Sequence, residues 1–321
     1  MERKLGIDLL RGLSIFYIVG FWHLLSYTDA IPNYDNIITY RITWIVLGTF
    51  VFISGYFLGK KNIDRTNLVS FYKKRFVRIY PPYLIAIFIF SILGLYDNTT
   101  SIKAIFGMSM FIRPAPGNLW FITMLLFFYI ICPICLYFLK KSVIHYLLFF
   151  ITIISILSLY EYLSNEIFNY YYLDIRIITY LVPFMLGIFT ANNNYTPKKN
   201  ILIITSILFF IFSCSVKTKN MNLLLATPLI STSSLLLFTI FNKLTIKQKY
   251  TQKTILFLST SSYFMYLYHR PLYMVCKNIF FPKTQLMQLF YLVTVCIFII
   301  IPLSYLMQMT YNKTITLLMS R

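Results

Sequence analysis

Asn118-Leu-Trp120-Phe-Ile-Thr-Met124-Leu-Leu-Phe-Phe-Tyr-Ile130-Ile-Cys132-Pro-Ile-Cys135-Leu-Tyr-Phe138 runs without a charged residue, close to the roughly 20 residues an α-helix needs to cross the hydrocarbon core of a bilayer. The run is continuous rather than alternating, so a helix and not a barrel strand satisfies its backbone. Working outward in both directions gives similar apolar segments at 7–27, 38–59, 79–96, 143–161, 174–190, 200–215, 222–241, 254–275 and 289–310, about ten in all. The whole composition agrees: 59% hydrophobic, 12% charged, mean hydropathy +0.72. The expected fold is an all-α polytopic membrane bundle, one domain over residues 1–321, with no appended soluble domain and no internal repeat. The first segment carries Arg11 and His23 and lacks a small-residue cleavage site, so it reads as a span rather than a removable signal peptide.

Lysine and arginine set the expected orientation. With both termini in the cytoplasm, the inner side receives Arg3 and Lys4, the bases from Lys60 to Arg78, Lys140, Lys141, Lys198, Lys199, Lys243 to Lys253, Lys313 and Arg321, about nineteen of the 29. The formal charge of +20 punctuates helices instead of forming a basic stripe on a soluble face. That pattern argues against nucleic acid and for topology and anionic lipid head groups. One cluster invites a second reading: Phe71-Tyr-Lys73-Lys74-Arg75-Phe-Val-Arg78-Ile-Tyr-Pro81-Pro82-Tyr83. Arg75 and Arg78 share a helix face at the inner boundary with Lys74 beside them, and paired guanidinium groups can bind phosphate as well as mark topology. The two prolines remove backbone donors and are expected to break the start of the third span.

Two of the three histidines, His23 and His269, sit deep in apolar segments. At about 1.5 Å per residue they lie about 24 and 22 Å from the inner ends of their spans, a matched depth in the outer half. Buried ionisable groups in a membrane point to a proton-transfer centre. Arg11 lies low in the first span, with Asp8 three residues earlier placed to hold it. The five cysteines suggest no disulfide framework, the Cys132/Cys135 pair lacks the soluble context of a redox motif, and three dispersed histidines offer no metal site.

These residues together resemble the membrane-bound acyltransferase family 3, the integral membrane O-acyltransferases of bacterial surface polysaccharides. Asp8, Arg11-Gly12 and His23 resemble its opening motif, and Phe50-Val-Phe-Ile-Ser54-Gly55-Tyr56-Phe57-Leu58 its Ser-Gly helix. Phe71 to Tyr83 resembles its Arg-x-x-Arg segment, Asn118-Leu-Trp120-Phe121 its Trp segment, and Ser261 to Pro271 its late Tyr-Leu-x-His-x-Pro motif. The resemblance implies an acyl-CoA donor, usually acetyl-CoA, with Arg11, Lys74, Arg75 and Arg78 contacting it, and no metal. It implies an acceptor hydroxyl on a polysaccharide or lipid-linked sugar toward the outer face of the bacterial cytoplasmic membrane. His23 and His269 would be catalytic, as general base or as covalent acyl carrier, and an imidazole with an ordinary pKa near 6.5 suits either role.

Two positions depart from the pattern. The family separates its Arg and His by ten residues, about 20° apart around a helix; here eleven intervene, which turns His23 to about 120° from Arg11. A π-bulge between Val19 and His23, next to Gly20, would absorb the extra residue. Met124 stands where some branches carry an acid, so no acid is assigned there. Trp120 either anchors at the interface or lines the acceptor cavity. Arg176 either holds an acidic sugar or developing oxyanion or snorkels to water. Ser262 and Tyr266 share the face of His269 and either orient it or pack. The rival class is a polysaccharide exporter or proton-coupled transporter, for which a histidine pair would relay protons; paired broken helices in two repeated halves, its expected mark, are not seen.

Overall fold

A computed structural model of the chain describes residues 4–63, 66–193, 197–216 and 223–319. Arg3, Arg65 and Arg321 from the charge reading, and Asn222 at the edge of the eighth apolar segment, lie outside these. In chain order the helices are α1 (Leu5–Leu25), α2 (Ile37–Gly59), α3 (Leu68–Ile92), a short α4 (Asn98–Ile105), α5 (Trp120–Lys141), α6 (Val143–Phe168), α7 (Arg176–Asn193), α8 (Lys199–Ser215), α9 (Leu223–Asn242), α10 (Lys249–Ile279) and α11 (Gln285–Leu317). No strand occurs among the described residues.

Seven of these, α1, α2, α3, α5, α6, α9 and α11, are long and apolar enough to cross a membrane. Of the other three apolar segments, α8 is short at 17 residues. Arg176, Asn192 and Asn193 blunt the ends of α7, and the serines, lysines and Arg270 of α10 lower its hydropathy.

Without a hydrophobic force between helices in lipid, packing depends on close approach of small residues. The α2 and α7 helices meet in this way. A Cβ at Gly55 would lie 2.2 Å from the Phe184 carbonyl oxygen, and one at Gly187 would lie 2.3 Å from that of Phe52. Gly55 and Gly59 of α2 thus face Gly187 and Ala191 of α7, small residues four apart on both sides.

The proline pair does not break the third span. Helix α3 begins at Leu68 and runs through Pro81 and Pro82. The Val77 carbonyl, whose amide partner Pro81 lacks, accepts from the Tyr311 hydroxyl. Tyr263 donates to the Ile79 carbonyl at 2.6 Å and Tyr268 to that of Pro82 at 2.9 Å. A neighbouring helix thus re-satisfies the Val77 carbonyl that Pro81 frees, as a membrane interior requires, and two more tyrosines bond carbonyls of the same stretch.

Candidate active site

Helix α1 and helix α10 supply the polar spine of the site. Asp8, buried, accepts from Ser259 at 2.6 Å and lies 3.9 Å from Arg11, the i,i+3 pair expected from the sequence. Arg11 reaches across to Ser262 Oγ at 3.2 Å, and that hydroxyl donates to the Ser259 carbonyl at 2.8 Å.

Higher on the same two helices the histidines meet. His23 Nδ1 lies 2.7 Å from His269 Nε2, with the rings stacked at 10°. His23 reaches this position because the first span contains a π-turn over Ile18–Trp22, closed by the His23 amide on the Ile18 carbonyl. The wide turn takes up the extra residue between Arg11 and His23. The Val19 carbonyl inside it accepts from Tyr273 at 3.2 Å, so the loosened backbone is not left bare.

Hydrogen-bond partners fix the tautomers. His269, fully buried, places Nδ1 2.9 Å from the carbonyls of both Met265 and Tyr266. Carbonyls only accept, so this nitrogen carries the proton and Nε2 of the neutral ring is an acceptor. His23 must then donate from Nδ1, which leaves its Nε2 with the free lone pair. One ring is an orienting group and the other a base with its lone pair directed away from its partner.

Below the pair lies a cavity of about 620 Å³. Its walls carry Asp8, Arg11, Lys61, Arg75, Arg78, Ser262, Gln308 and Asn312 toward the inner end, with Phe50, Phe121, Ile122 and Tyr266 among the remaining lining residues. Arg75 lies 5.6 Å from the Tyr129 ring. Partial burial, followed by the charges of Arg75, Arg78 and Lys74, pushes the Lys61 ammonium below its ordinary value. Four cations facing one carboxylate give the chamber wall a net positive charge of the kind that attracts anions.

Neither histidine lines the cavity. Tyr266 stands between: its ring lines the chamber, its centroid lies 6.2 Å from that of His269, and its hydroxyl donates to the Asn118 carbonyl. Phe121 packs on it at 5.3 Å.

Of the residues singled out from sequence, Asp8, Arg11, Arg75, Arg78, Ser262 and Tyr266 converge on this chamber, and His23 and His269 pair beyond it. Lys74 is exposed and is not in the cavity wall. Trp120 is buried, not a surface anchor, and Arg176 lies over its ring at 4.1 Å. Arg176 is in turn ion-paired with Asp174, to which its Nε donates at 2.8 Å. That group is not part of the chamber lining. His145, the third histidine, bonds to Ser142 at the start of α6. Sequence reasoning passed over Lys61, Gln308 and Asn312. Lys61 was counted only as a topology base, and nothing local marks the two amides of α11.

Compared with known proteins, residues 4–309 match a family model described as an acyltransferase domain. No curated protein and no solved structure matches the chain.

Proposed function

The chain belongs to the membrane acyltransferase family 3, and from that premise we propose that it is a multi-pass O-acyltransferase of the bacterial cytoplasmic membrane, moving an acyl group, in the first instance acetyl, from cytoplasmic acyl-CoA to a hydroxyl of a surface or lipid-linked polysaccharide. In this reading ten segments cross the membrane with both ends inside. The observation that carries it is the His23 and His269 pair, 2.7 Å apart, set beyond a cationic chamber whose lining residue Tyr266 has its ring centroid 6.2 Å from that of His269.

The chamber fits an acyl-CoA. Arg11, Lys61, Arg75 and Arg78 would hold its phosphates, while exposed Lys74 adds attracting charge at the entrance. When bound, acyl-CoA supplies an acyl group already activated as a thioester. The chain's own residues handle the acceptor's proton. His23 Nε2 takes it from the hydroxyl, and His269 Nε2, accepting from His23 Nδ1, stabilises the resulting imidazolium. This is the part an aspartate plays beneath the histidine of a serine hydrolase, performed here by a neutral ring.

The test is NMR of O-acyl groups on the surface glycan of cells expressing the wild-type chain, His23→Ala or His269→Ala at matched membrane levels. Loss of the ester signal with polymer yield unchanged supports acyl transfer. Polymer retained inside cells that lack the protein, with no ester dependent on it, would instead favour export.

A further inference from the structure

Arg270 follows His269 directly and differs from Arg11 and Arg176. Arg11 has Asp8; Arg176 of α7 has Asp174. Arg270 has no carboxylate partner among the described residues, and its Nε, although buried, donates to none of them. The charge of Arg270 also reaches Tyr34. A guanidinium at this depth without an anion is costly. Tyr27 and Tyr34, aromatic side chains of the kind that stack on sugar rings, lie within reach of its charge. Trp22, next to His23, stands edge-on to Tyr34 and Tyr40 at 5.9 and 5.0 Å, and the Tyr27 hydroxyl lies 3.5 Å from the Arg270 carbonyl. The charge of Arg270 reaches both His23 and His269.

We propose that Arg270 is the recognition residue for an acidic acceptor, binding a carboxylate or phosphate oxyanion of the sugar whose hydroxyl is acylated at His23. This rests on the acyltransferase reading. The planar guanidinium pairs bidentately with either oxyanion, and the bound anion offsets the positive charge beside the dyad as His23 takes its proton. Arg176, for which the sequence reading offered this task or snorkelling to water, is ion-paired with Asp174.

The experiment uses the full chain in nanodiscs with three probes: methyl glucuronoside, a methyl glucoside phosphate and neutral methyl glucoside. Binding is followed by tryptophan fluorescence without donor, and transfer by thiol release from acetyl-CoA. The expected result is that at least one acidic probe binds at least about tenfold tighter than the neutral one. Arg270→Gln abolishes that preference through Kd and KM, and Arg270→Lys keeps part of it. Preference for the carboxylate alone identifies an acidic sugar, and for the phosphate alone a phosphorylated glycan or lipid carrier. Equal binding of all three probes, or a preference that survives Arg270→Gln, overturns the proposal. Thiol release that never occurs, even to water, counts against acyl transfer itself and leaves the binding data to decide the anion site.

Discussion

Two neutral imidazoles 2.7 Å apart share a single proton, and the carbonyls of Met265 and Tyr266 decide which ring supplies it. In the proposed reaction His23 is therefore the base and His269 its support, so the two side chains would act as a unit. Removing either should lower kcat/KM by about 10²-fold or more, and His23→Ala/His269→Ala should be no worse than His23→Ala alone. Thiol release with acceptor present measures this; additive losses would mean that the rings work separately. Lys61 offers a second test at the same scale. Its ammonium is held below its ordinary value by burial and by the neighbouring arginines, so an anion seated beside it favours the protonated form. CoA binding should take up protons on the alkaline side of neutrality, and affinity should fall as pH rises through the lysine's range. Calorimetry in buffers of different ionisation enthalpy reads both effects. Lys61→Arg should abolish the proton uptake, and uptake unchanged in that variant would remove Lys61 from the donor site.

Helix α1 holds its histidine in place through one wide turn. Deleting Gly20 from the π-turn at Ile18–Trp22 restores ten intervening residues, which on a regular helix leaves His23 about 20° from Arg11. Activity should survive that deletion within about tenfold, whereas inserting an alanine beside Gly20 turns His23 a further ~100° away and should abolish it. The reverse ranking would show that the turn does not set the register. The contact of α2 with α7 is the other element-scale device. Gly55→Val places a side chain where a Cβ already meets backbone 2.2 Å away, so overpacking should destabilise the bundle by about 1–3 kcal/mol. Thermal-shift gel filtration would detect it as a lower melting temperature. Much of this was legible in the sequence, because period and rise are local: the Asp8 and Arg11 pair and the matched depth of His23 and His269 follow from counting along a helix, and the bulge near Gly20 from that count set against the family's spacing. The intact α3 was not legible. Pro81 and Pro82 announce a break, and the hydroxyl that takes the freed Val77 carbonyl comes from Tyr311, with Tyr263 and Tyr268 bonding the same stretch, about 180 or more residues downstream on this numbering. Lys61 escaped for a related reason, since in sequence a ligand-binding base at a helix end looks the same as one that only sets topology.

At the scale of the whole molecule the site is asymmetric along the proposed membrane normal. Arg11, Lys61, Arg75 and Arg78 line the chamber on the side that the charge distribution assigns to the cytoplasm, while Trp22, Tyr34 and Tyr40 cluster beyond the histidine pair. Donor and acceptor would thus arrive from opposite faces and meet at Tyr266, whose hydroxyl is anchored to the Asn118 carbonyl. That arrangement works only if the loop after α1 is outside and the loop after α2 is inside. Single cysteines at exposed Ile31 and Asn62, in a background lacking the five native thiols, test it directly. With a membrane-impermeant maleimide on intact cells, Ile31→Cys should label at once and Asn62→Cys only after lysis. The opposite pattern would put the cationic chamber on the outer side, away from any cytoplasmic acyl-CoA, and would sink the proposed direction of transfer even with both histidines proved essential. With the expected pattern in hand, Tyr266→Phe separates a gate from a wall. If the Asn118 anchor holds the ring closed between the two half-sites, its loss should raise acetyl-CoA hydrolysis without acceptor while leaving CoA affinity unchanged, because water would then share the path that the ring keeps shut.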